Sequence, residues 1–225
     1  MVANQDVSGE MTAAMPQIMN TTLVADGSSD RVLIPIIGLL LQAHCPFPFR
    51  ETDFVQQYPE GMFSLVDRIR HAVRQYPCDM LFVRRDAEQK GSVQLREQEV
   101  QAAVAASAID QPTLAVIPVR MTEAWLLVDE VAIRLAAGNP RGLAPLNLPK
   151  YRQMESVDAK AVLFAALEQA KNLGKRRTQD LRPQYLRQRV AENFDDLAPL
   201  RRLPSFAKFE AKLRGHFQSS EFVNA

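Results

Sequence analysis

The chain has 225 residues, 47% of them hydrophobic and 24% charged, enough apolar material for one sizeable core plus an elaboration and too much for long disorder. Two cysteines, Cys45 and Cys78, exclude a disulfide framework and show no metal-ligand spacing. The net charge of +1 hides an uneven spread: residues 1–140 carry 11 basic and 17 acidic side chains, and residues 141–225 carry 16 and 9. A balance of −6 against +7 suggests two halves with different partners, or a solvated basic face on C-terminal helices.

Residues 1–19 are polar and aperiodic, with four methionines, and read as a flexible arm. They lack a basic n-region, since the first Arg or Lys is Arg31; this predicts a cytoplasmic chain without a secretory signal. The longest apolar run, residues 32–41, is about half the ~20 residues that a bilayer span needs, so no membrane partner is expected.

Residues 21–25 (TTLVA) are β-branched and apolar and predict a first strand, followed by Asp26-Gly27-Ser28-Ser29-Asp30. Ser28 or Ser29 would cap a helix over residues 30–44, apolar on nearly every face and ended by Pro46 and Pro48. Residues 49–60 are irregular, with room for one short strand. Phe63, Val66, Ile69, Ala72 and Val73 recur at helical spacing over residues 62–75. Residues 80–83 (MLFV) form a second buried strand, ending at Arg84-Arg85-Asp86-Ala87-Glu88. A helix over 93–106, a strand over 113–119 and a helix over 123–136 with the single tryptophan, Trp125, follow. Residues 138–149 read as a loop, and helices are expected near 157–172, 180–193 and 205–215. Strands alternating with helices predict a parallel α/β sheet over residues 20–140, with a helical extension over 141–225 packed on it.

In such a sheet Asp26, Asp86 with Glu88, and Glu123 all follow strands, and so share the carboxyl edge where open α/β sheets bind ligands. Carboxylates gathered there repel one another, and a divalent cation would relieve the conflict. Oxygen donors without His or Cys suit Mg²⁺ or Mn²⁺. Each acid also has an ordinary structural use. Asp26 would serve a turn, Asp30 the first turn of its helix, Asp86 and Glu88 a pairing with Arg84 or Arg85, and Glu123 its own helix start. Asp129 lies about 600° of helical turn from Glu123, so only one of them would face the site.

The segments LVADGSSDRVL and MLFVRRDAE resemble the first two motifs of TOPRIM domains, and TEAWLLVDEVAI and LPSFAKF resemble segments of small stand-alone bacterial TOPRIM-like proteins of unassigned function. These are related to the TOPRIM nuclease domain of overcoming-lysogenization-defect proteins and are often encoded beside an ABC-type ATPase. The resemblance, over about residues 21–213, implies a TOPRIM-like (Rossmannoid) fold. It also implies Mg²⁺-dependent phosphodiester cleavage in antiphage defence, with Asp26, Asp86 and Glu88 catalytic and metal-binding, Glu123 a further ligand, and the ATPase as partner. The chain departs from the motif in having Asp26 where Glu is usual and Glu88 where Asp is commoner. The alternative is a non-catalytic or toxin-like effector of that ATPase with a degenerate acidic site. An aspartyl phosphatase ranks last, because Asp26-Gly27-Ser28 lacks a second Asp.

No phosphate-binding glycine loop of the G-x-x-x-x-G-K-[ST] kind is present, so any ATPase activity must come from a partner. The basic stretch over residues 171–189, with Lys175, Arg176 and Arg177 at its centre, would track a nucleic-acid backbone or form a solvated helical face. Phe206 and Phe209 are expected in the core.

Overall fold

The computed structural model describes residues 18–171 and 183–219. The expected arm, apart from its last residues, and the cluster Lys175, Arg176 and Arg177 lie outside the described residues.

Four strands form one parallel sheet: β1 (Thr21–Val24), β2 (Asp53–Val55), β3 (Met80–Arg84) and β4 (Thr113–Val116). Their order across the sheet is β2-β1-β3-β4, with Val24 level with Val55 on one side and Val83 on the other. The short strand foreseen somewhere in residues 49–60 is β2, at an edge. Its three residues carry no strong alternation, and pairing with β1 defines it.

The pleat sends alternate residues to opposite faces. Leu23, Met80, Phe82 and Val116 face a large core with α1 (Leu33–His44), α4 (Glu123–Leu126), α5 (Glu130–Ala136), the short α6 (Tyr151–Met154), α7 (Ala159–Lys171), α8 (Pro183–Glu192) and α9 (Pro204–Gln218). Val24, Val55, Leu81 and Val83 face a smaller core closed by α2 (Leu65–Gln75) and α3 (Val93–Ser107). The chain is therefore an α/β protein, a four-stranded parallel sheet of Rossmann-like kind with helices on both faces. The C-terminal helices share the core of the sheet: Phe206 and Phe209 are buried against Trp125, and Phe209 also meets Phe82 edge-on. Among the described residues no helix is long and apolar enough to cross a membrane.

Three local expectations are corrected. The helix after β1 opens with a 3₁₀ turn, Ser28–Val32, and neither serine caps it; the Asp30 carboxylate turns back and accepts the N–H groups of Asp26 and Gly27. Phe63 lies outside α2, which begins at Leu65 with Ser64 as its cap, and the residue is 82% exposed. The helix foreseen over 123–136 is two helices: Asp129 leaves the helical conformation and its carboxylate accepts the N–H of Ala132, capping α5. Glu123 and Asp129 therefore do not lie on one helix, and the angle between them on a single helix does not set which faces the site. Asp129 is a cap.

Candidate functional site

In a sheet of order β2-β1-β3-β4 the chain leaves β1 toward one side and β3 toward the other. The crevice past the carboxyl ends of these two strands is the topological switch point, where doubly wound sheets take ligands. Asp26 is two residues beyond β1 and Asp86 two residues beyond β3. The strands are hydrogen-bonded parallel neighbours, so both acids stand at this crevice.

Arg84, the last residue of β3, lies between them. It is 7% exposed. Its Nη2 donates to Asp86 Oδ1 at 2.5 Å, its Nη1 is 3.6 Å from Asp26 Oδ2, and its Nε is 3.0 Å from Asp30 Oδ1. The contact with Asp30 is an ion pair without hydrogen-bond alignment, leaving both atoms buried and unsatisfied. Asp26 is held by two more guanidinium groups: Arg68 of α2 reaches Oδ1 at 3.1 Å, and Arg85 reaches both oxygens at 3.1 Å. Arg85 continues to Glu99 at 2.8 Å, and Arg96 joins Glu99 at 2.8 Å to Glu88 at 3.5 Å. Glu123 lies under the edge, bonded to Arg187 of α8, and both side chains are nearly inaccessible.

Burial raises the Asp86 carboxyl above the usual carboxylate range; Arg84 opposes this, and the charges of Asp26 and Glu123 add to it. Burial raises Asp30 in the same way, with Arg84 again opposing and Asp86 adding. Asp26, Asp30, Asp86 and Glu123 thus share one electrostatic neighbourhood. Glu88 does not join it, because its side chain is 83% exposed and turned toward Arg96. The reading of Asp86 as a partner of Arg84 describes its position, and Asp30 serves both the turn and the ion-pair network.

The oxygen donors are chemically suited to a hard dication. Their arrangement is not. The guanidinium of Arg84 stands among the three aspartates, and among the described residues no group of three or more His, Cys, Asp or Glu side chains gathers to hold a metal ion. The acids as folded do not fit the Mg²⁺ or Mn²⁺ that the resemblance implies. Their repulsion is relieved by arginine. Of these arginines, Arg84 and Arg85 were legible from their place just before Asp86. Arg68 and Arg187 were not, because ion pairs 42 and 64 residues apart leave no mark in local spacing.

Beside Asp26 the loop between β2 and α2 encloses an open cavity of about 570 Å³, lined by Asp26, residues 56–63 and Arg68. The Tyr58 hydroxyl shares its proton between the carbonyl oxygens of Ala25 at 3.1 Å and Val55 at 2.9 Å, and burial pushes its pKa up to about 12. Arg68 lies over the Tyr58 ring, 4.9 Å from its centre.

Comparison with family models, with curated proteins and with solved structures finds no match to this chain.

Proposed function

We propose that the switch-point edge binds and acts on a phosphodiester, the activity that the TOPRIM resemblance implies. The observation that carries this reading is the meeting of Asp26 and Asp86 past two neighbouring parallel strands, together with Arg68, Arg84 and Arg85. Guanidinium groups match phosphate oxygens in pairs, and a carboxylate already gripped by three of them marks an anion-binding position. Asp86, about a third exposed, is the acid at the crevice least enclosed by arginines.

A second reading is favoured by one specific observation. Each of these acids has a guanidinium partner, so the site is neutralised from within; this suits a non-catalytic effector that works through an ATPase of the ABC type.

Incubation with supercoiled DNA and with RNA, in Mg²⁺, in Mn²⁺ and in chelator, separates the two. The first reading expects cleavage that Asp86→Ala abolishes. No cleavage under any condition, or cleavage indifferent to Asp86→Ala, sinks it; a stable complex with the ATPase would then favour the second. Thermal melts decide the cation question. A Mg²⁺-induced gain in wild type that Asp86→Ala removes supports a cation at this edge, and equal shifts in both exclude it.

A further inference from the structure

Phe63 is a large aromatic side chain for which the fold has no use. It immediately precedes Ser64, the cap of α2. An apolar residue there ordinarily packs against the residue five positions on, which fixes how the chain enters the helix. In this chain that residue is Arg68, which is turned instead to Asp26 and the face of Tyr58. Phe63 is left 82% exposed on a loop that is otherwise well anchored. Met62 N–H bonds Pro59 O at 3.1 Å across a turn in which Gly61 has φ +83°, and Ser64 accepts the N–H of Asp67. Phe63 is among the residues that line the same cavity as Asp26 and Arg68. Its volume of about 570 Å³ falls within the range of about 300–1,000 Å³ typical of small-molecule sites.

We propose that this cavity is a nucleotide subsite, in which a base stacks on Phe63 and the attached phosphate meets Arg68. This rests on the phosphodiester reading above and specifies its substrate as a strand with accessible, unpaired bases. An exposed aromatic face beside a guanidinium is an arrangement by which proteins hold single-stranded nucleic acid without regard to sequence; Asp26 and Glu60 also line the cavity, so a phosphate seated there competes with Asp26 for Arg68. The cavity opens from the carboxyl edge itself, so a base seated there would place its phosphate toward Asp26 and the arginines that surround it.

The substitution Phe63→Trp tests this on the full chain. The only native tryptophan, Trp125, is fully buried, so a ligand-induced change in emission would come from the new side chain. The variant is titrated with a short oligothymidylate, with an abasic backbone of the same length, and with thymidine monophosphate. The expected result is quenching by the oligonucleotide and none by the abasic strand, and Phe63→Ala should lower oligonucleotide affinity by about ten-fold. Quenching by the monophosphate at equal affinity overturns the strand as the substrate; weak quenching by it supports the strand. Equal quenching by the abasic strand overturns the proposal, since the ring would then sense phosphate alone. Binding of the oligonucleotide by anisotropy without quenching also overturns it, while leaving the phosphodiester reading intact. Absence of both binding and Asp86-dependent cleavage overturns the two together.

Discussion

Arg84 and Arg187 are buried cations, and each sets the cost of changing the acids around it. Truncating one member of a buried pair strands the other charge, at about 3–5 kcal/mol. Arg187→Met should therefore lower stability by about that amount in urea unfolding, because Glu123 would be left buried without its partner. Adding Glu123→Gln should recover most of the loss; a single variant as stable as wild type would show that the pair is not closed in solution. Asp86 behaves differently. Its raised pKa means that the folded state disfavours its charge, so stability from this group falls as pH rises from the ordinary carboxylate range through the raised value. Asp86→Asn should then leave stability at neutral pH unchanged or slightly increased. A loss above about 1 kcal/mol would show that its bond to Arg84 outweighs desolvation. The two substitutions separate a carboxylate whose ion pair holds the fold from one whose charge the fold disfavours.

At the scale of elements, the sequence was most readable where burial is complete. Residues 21–25 and 80–83 are β-branched or apolar throughout, and β1 and β3 lie within a residue of them. The carboxyl-edge placement of Asp26 and Asp86 follows from those two strands alone. The edge strand β2 was half read, because three residues with one buried side chain give little pattern. Between α4 and α5 the apolar spacing runs on across Asp129, and a cap inside a continuing apolar run looks like one more polar position. The cap makes a testable difference. Asp129→Ala should cost about 1 kcal/mol, within the usual range for losing a capping side chain, without altering any ligand response. Asp129→Asn should restore most of that stability. If Asp129→Ala changes oligonucleotide binding instead, Asp129 belongs to the site after all.

Across the whole molecule, the −6 and +7 halves meet each other. Glu97 of α3 is bridged by Lys208 at 2.9 Å and Lys212 at 2.8 Å, both of α9; Glu123 takes Arg187 of α8. Glu210 of α9 is gripped by Arg201 and receives His44 of α1 at 2.9 Å. Part of the charge asymmetry is therefore spent in joining the C-terminal helices to the sheet domain. This seam predicts acid sensitivity. Burial by itself would raise the Glu97 and Glu210 carboxyls, but the bonds from Lys212 and Lys208, and from Arg201 and His44, outweigh it and hold both below the ordinary glutamate range. A depressed folded pKa means that the unfolded chain binds the proton more readily. The stabilisation is thus fully present above a pH of about 4.3 and is lost as pH falls through the lower folded values. Unfolding midpoints measured from neutral pH down into that window should fall more steeply for wild type than for Glu97→Gln with Glu210→Gln. The double variant should be less stable at neutral pH and converge with wild type in acid. Parallel curves for the two proteins would mean that these pairs are too well solvated to hold the C-terminal helices to the sheet.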